Sequence, residues 1–129
     1  MSKQCITAEG APPALGPYSH AVKAGNLLFL SGQGSLDADG SGIIRGTIEE
    51  ETHQTFSNIK TVLAAAGADL SDVVKVLVFL KDMDNFKAVN AVYAEYFPEN
   101  PPAPSCIDAA RQPGDMQVEI EVIAMLSDH

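Results

Sequence analysis

The sequence predicts an α+β fold: a mixed sheet of about five or six strands with two helices on one face. Three observations predict it. Gln117–Met125 alternates, with Val118, Ile120, Val122 and Ala124 on one side and Gln117, Glu119 and Glu121 on the other before Ile123 and Met125. Period two over that length is a strand with one greasy and one carboxylate-bearing side. Two stretches with helical spacing lie further upstream. Between them, Val73–Leu80 is apolar on both sides except for Lys75.

Taken in order, the chain opens with a short strand around Gln4–Thr7 and a loop containing Pro12, Pro13 and Pro17. Ser19–Ala24 and Leu27–Ser31 flank Gly25-Asn26, a pair that supplies the positive φ needed by a two-residue hairpin turn. Gly32–Gly46 is a Gly-, Asp- and Ser-rich loop, with Ile43-Ile44 hinting at a short strand. Thr47-Ile48-Glu49-Glu50 fits a capping box, threonine at N-cap and glutamate at N3. Behind it Ile48, Thr52, Phe56, Ile59, Leu63 and Ala66 share one helical face, and Gly67 suits the left-handed position beyond the end. Three acids, Glu49, Glu50 and Glu51, sit where the helix dipole favours them.

Asp69–Asp72 is a turn into the strand Val73–Leu80. One face of that strand packs under helices, and two helices leave little to cover the other. This predicts association through the second sheet face. Asp82 or Asp84 caps a second helix carrying Phe86, Val89, Tyr93 and Phe97, stopped by Pro98. Pro104–Ile107 is a shorter strand, and Arg111–Asp115 reads as a turn joining it to Gln117–Met125 in a closing hairpin. That hairpin would bring Ser105 and Cys106 near Glu119.

The totals narrow the function. At 129 residues, 46% of them hydrophobic, the chain reads as one domain with a proper core. A net charge of −9 with eight scattered basic residues argues against nucleic-acid or membrane-surface partners. The two cysteines, Cys5 and Cys106, read as free thiols of a cytoplasmic protein. His20, His53 and His129 share no metal-ligand spacing, and Gly32-Gln33-Gly34 lacks the further glycine and the lysine of a phosphate loop.

Residue chemistry alone leaves Glu119 as a solvated strand carboxylate or a catalytic one, and Glu121 as solvated or interface-paired. Cys106 reads first as a small buried hydrophobe. Tyr18 fits a core or interface aromatic as well as a ligand contact. Ser31 and Asn90 fit residues that satisfy backbone groups.

With these motifs in place, the sequence closely resembles the RidA (formerly YjgF) family of reactive intermediate deaminases. The resemblance is carried in order by Gly16-Pro17-Tyr18-Ser19, Ser31-Gly32-Gln33, Ile48-Glu49-Glu50, Ala65-Ala66-Gly67-Ala68, Val73-Val74-Lys75-Val76, Phe86-Lys87-Ala88-Val89-Asn90, Pro102-Ala103 with Ser105-Cys106, and Val118-Glu119-Ile120-Glu121. Each is weak alone; in series over nearly the whole chain they are specific.

The resemblance implies a chorismate-mutase-like six-stranded fold assembled as a barrel-like homotrimer, with small-molecule clefts between subunits. It implies hydrolysis of 2-imino acids and their enamine tautomers to 2-oxo acids and ammonia, with no metal or organic cofactor. By position, Glu119 would orient or deprotonate water and the Cys106 backbone would contact substrate. Tyr18, Ser31 and Asn90 would line the cleft, beside the strand segment Pro104-Ser105. Active members carry arginine at the position of Pro104, where it clamps the substrate carboxylate. Proline offers no charge, no side-chain donor and no N–H. The alternatives are therefore a retuned or non-catalytic metabolite-binding protein and, following an older family label, an endoribonuclease or translation inhibitor.

Overall fold

The computed structural model describes residues 2–14 and 16–127. Six strands, β1 (Gln4–Ile6), β2 (Ala21–Ala24), β3 (Leu27–Leu30), β4 (Val73–Leu80), β5 (Ala103–Asp108) and β6 (Val118–Met125), form one mixed sheet. Its two helices are α1 (Ile48–Ala65) and α2 (Phe86–Tyr96). The strand order is β1-β2-β3-β6-β4-β5, antiparallel throughout except for the parallel pair β4–β5.

This order corrects the expected closing hairpin. β5 and β6 are not neighbours; β4 lies between them, pairing with β5 on one edge and β6 on the other. The β4–α2–β5 segment is a strand–helix–strand crossover, which joins parallel strands. The chain then returns as β6 into the slot between β3 and β4. A second crossover, β3–α1–β4, steps across the sheet in the same direction. Parallel crossovers are right-handed almost without exception, and two that step the same way put both helices on one face. They also pack on each other: Phe56 of α1 stacks on Tyr96 at 4.4 Å between ring centres and meets Phe97 edge-on at 5.8 Å.

Local signals fix the ends of these elements. Thr47 Oγ1 accepts the Glu50 N–H and the Glu50 side chain accepts the Thr47 N–H, each at 3.1 Å, completing the predicted capping box. At the other end Gly67 takes φ +77°, while the Ala68 and Gly67 amides donate to Leu63 and Ala64 carbonyls. That double closure is a Schellman motif. In the β2–β3 turn only Gly25 takes positive φ, at +63°, the pattern of a II′ rather than a I′ turn. The expected short strand at Ile43-Ile44 is a single bridge, Leu36 to Ile43. Asp82 caps a one-turn 3₁₀ segment (Met83–Asn85), so α2 itself starts without a side-chain cap. Of the residues expected inward, Phe86 is exposed, while Val89 and Phe97 are buried and, with Val92, hold α2 to the core.

The core fills the space between helices and sheet. Leu28, Val76, Leu80, Val118 and Ile120 meet Phe56, Ile59, Val62 and Leu63, all fully buried. The opposite sheet face has no such cover. Along β6 and β4 the residues on that side are half-buried, and Phe29, Ile107 and Met125 are 41%, 47% and 45% exposed. A single chain therefore leaves that apolar face to water.

Candidate active site on the open sheet face

Register determines which side chains meet. Residues paired across adjacent strands share a face. Glu119 pairs with Phe79, and Phe79 with Ile107; Glu121 pairs with Leu77, and Leu77 with Ser105. These six residues lie in two rows on the open face. Cys106 instead pairs with Val78, which pairs with buried Ile120, and Pro104 pairs with Val76, which pairs with buried Val122. Pro104 and Cys106 therefore point toward the helix side of the edge strand.

Glu119 is packed closely against the chain that follows β3. A Cβ built on Gly32 falls 2.8 Å from Glu119 Oε2 and 2.9 Å from its Cδ. The bare glycine leaves room for the carboxylate to lie directly over the backbone. The Gln33–Ile120 bridge, with N–H···O bonds of 2.8 Å in both directions, holds the two segments together. Burial, and secondarily the Glu121 charge, raises the Glu119 pKa above the ordinary carboxylate value.

Ser31, immediately before Gly32, donates its hydroxyl to the Ser19 carbonyl at 2.6 Å and its N–H to the His20 carbonyl at 3.0 Å. Those bonds place the Tyr18–Ser19 segment alongside Ser31. Tyr18 is 49% exposed. The fold thus gathers Glu119, Gly32 and Ser31, with Tyr18 next in the chain to the Ser19 carbonyl that Ser31 binds.

The remaining sequence-derived residues lie elsewhere in the chain. Ser105 shares the open face, where its Oγ takes a 2.8 Å hydrogen bond from Lys75 Nζ, but β4 separates it from β6. The expectation that a hairpin brings Ser105 and Cys106 beside Glu119 is corrected here, because two strand spacings span about 9–10 Å. The partly buried Cys106 packs against the core, and burial pushes its thiol pKa up, away from the reactive thiolate. Asn90 is exposed on α2, in the helix layer. His129 lies outside the described residues. Among those described, no three His, Cys, Asp or Glu side chains are grouped to hold a metal, and no helix is long and apolar enough to cross a membrane.

Sequence reasoning missed Glu51. Read as one of three dipole-favoured acids, it is 2% exposed, three residues after Ile48 and four before Thr55 on the buried face. Gln117 Nε2 donates to its carboxylate, with longer contacts of 3.4 Å from Ser35 Oγ and from the Gly46 and Gln117 amides. Its spacing from Ile48 was the available signal. The carboxylate ties α1 and the preceding loop to the start of β6, two residues before Glu119.

A mixed sheet backed by two helices, with its open apolar face bearing a carboxylate over bare glycine backbone, defines a small α+β scaffold with its candidate site on the sheet. The sequence model of the family described as Endoribonuclease L-PSP matches residues 8–126, and the chain belongs to that family, which is also called YjgF/RidA. It is 49% identical over 122 residues to the RutC family protein PH0854 of Pyrococcus horikoshii, covering 95% of this chain and 97% of that one. It is 40% identical over 124 residues to a protein of Dermatophagoides farinae named 2-iminobutanoate/2-iminopropanoate deaminase, covering 96% and 97%. The crystal structure of the YjgF gene product of E. coli superimposes with a TM-score of 0.87 at 38% identity, covering 95% of this chain and 98% of that one.

Proposed function

We propose that the chain is a 2-iminobutanoate/2-iminopropanoate deaminase, hydrolysing reactive imines and enamines to 2-oxo acids and ammonia in clefts between the subunits of a cytoplasmic, chorismate-mutase-like homotrimer. The observation that carries the reading is the Glu119 carboxylate: half-buried, raised in pKa and laid over Gly32. A raised pKa makes it a better base for water at neutral pH.

The chemistry asks little more of a protein. A protonated imine is already electrophilic. Glu119 takes a proton from water as the oxygen adds to the imine carbon, and the resulting carbinolamine is protonated on nitrogen and expels ammonia. Loss of the hydroxyl proton leaves the 2-oxo acid. No metal or organic cofactor enters these steps.

Sheet polarity supports assembly. Glu119 and Ser105 lie on the open face, Pro104 and Cys106 on the other. A pocket combining Glu119 with Pro104 and the Cys106 backbone therefore draws on more than one chain. In this reading Tyr18, Ser31 and Asn90 line the shared cleft, and the apolar face bearing Phe29, Ile107 and Met125 is covered by neighbouring subunits.

Ammonia release from 2-iminopropanoate, generated in situ by an amino-acid oxidase, tests the proposal. Wild-type protein is expected to accelerate it, and Glu119→Gln to lose roughly 10²–10⁴-fold. A rate equal to buffer at several protein concentrations sinks the reading. The uncharged residue at 104 favours one alternative, a cleft that binds a small metabolite without turning it over. A ligand-dependent rise in melting temperature without turnover would support that. An endoribonuclease is disfavoured by the −9 net charge, since RNA carries a phosphate at every step.

A further inference from the structure

The loop leading into Tyr18 is held by an imidazole that the proposed chemistry does not use. His20 is 6% exposed. Its Nδ1 lies 2.8 Å from the Ala8 amide nitrogen, and its Nε2 lies 2.8 Å from the Pro12 carbonyl oxygen. A backbone amide only donates and a carbonyl only accepts. The ring therefore has a lone pair on Nδ1 and its proton on Nε2, a neutral imidazole bridging two points of one loop.

That loop also packs into the core. Ala8 and Ala11 are buried there, Gly10 turns at φ +86°, and the Ala11 amide donates to the Ala8 carbonyl at 3.4 Å. The loop walls a cavity of about 370 Å³ that Tyr18 and His20 also line, with Glu9 and Tyr18 as its other titratable side chains. On its own backbone, His20 accepts the Ser31 N–H at 3.0 Å, while Ser31 Oγ donates to the adjacent Ser19 carbonyl. One residue thus links the 8–12 loop, the Tyr18–Ser19 segment and Ser31, next to Gly32 beneath Glu119.

We propose that His20, as a neutral imidazole protonated on Nε2, is the positioning residue that fixes the Tyr18–Ser31 wall of the cleft by locking the 8–12 loop to it. The inference rests on the deaminase reading only for its kinetic consequence. Its structural consequence is measurable without turnover.

The test uses full-length His20→Gln and His20→Leu beside the wild type. Glutamine carries one acceptor and one donor and reproduces the bridge; leucine keeps bulk and loses both. Nitrogen NMR of the wild-type ring at neutral pH is expected to show an unprotonated Nδ1 and a protonated Nε2. Hydrogen exchange at the Ala8 amide should quicken at least about tenfold in His20→Leu and stay within about threefold of wild type in His20→Gln, while core amides on β4 hold their protection. In the imine assay, His20→Leu should raise KM about tenfold or more, with His20→Gln near wild type. A purely structural role would lower the folded fraction and leave KM alone. The opposite tautomer, or Ala8 protection and KM unchanged in His20→Leu, overturns the proposal. Absence of turnover in the wild type removes the deaminase reading alone, and the NMR and exchange outcomes still decide the role of His20.

Discussion

Glu119 lies over Gly32 so closely that a methyl group on that glycine would stand 2.8 Å from the carboxylate oxygen. The glycine does not have a positive φ, so its backbone tolerates alanine; only the carboxylate has to move. Gly32→Ala is therefore expected to leave the fold intact and cut imine hydrolysis about 100-fold, the loss that a displacement of about 1 Å produces. Steady-state kinetics alongside circular dichroism check this. Activity within twofold of wild type would mean that the carboxylate's position is not used.

The raised pKa of Glu119 makes a stability prediction with a definite sign. Between the ordinary carboxylate value and the folded one, the native state holds more of this proton than the unfolded state. Stability from this group is then present at low pH and lost as pH rises through the folded pKa. Glu119→Gln removes the ionisation. Its melting temperature should exceed wild type at pH 7, with the gap closing as pH falls through the folded pKa and gone below about 4.5, the ordinary carboxyl value. A gap independent of pH refutes the assignment of burial as the cause.

Pro104→Arg restores a guanidinium to the edge strand. A charge-assisted anchor in a desolvated cleft is worth ~2–5 kcal/mol, or roughly 30- to 5,000-fold at about 1.4 kcal/mol per decade. The variant is expected to gain within that range in kcat/KM for 2-iminopropanoate over the wild-type chain. Equal rates would show that the substrate carboxylate is held by another group.

Phe29→Asp places a charge on the open face next to Ile123 of β6. The position is 41% exposed in the single chain and outside the buried core, so the monomer fold should survive. Analytical ultracentrifugation is expected to show trimers for the wild type and smaller species for the variant. A monomeric wild type would refute the shared-cleft reading.

Glu51→Leu strands the donors that now meet a buried carboxylate. Each unsatisfied buried donor costs about 1–3 kcal/mol. A loss of roughly 2–5 kcal/mol is expected in urea unfolding, with Glu51→Gln milder because it keeps an acceptor oxygen. A change below about 0.5 kcal/mol would show that water replaces the carboxylate.

The sequence by itself determined what depends on near neighbours: the Thr47–Glu50 box, the αL glycine at 67, the turn at Gly25, and the alternation that sets Glu119 apart from Val118 and Ile120. These signals act within a few residues, where propensity and hydrogen bonding are decided. The motif series also carried the family. Strand order did not follow, because period two reads the same whichever strand lies alongside. Only the folded sheet set β6 between β3 and β4, turned Pro104 and Cys106 to the face opposite Glu119, and enclosed Glu51 and His20 with partners 66 and 12 residues away. Such contacts depend on which crossover the helices impose and on which polar groups are left needing partners once the core closes, and neither is a local property of the chain.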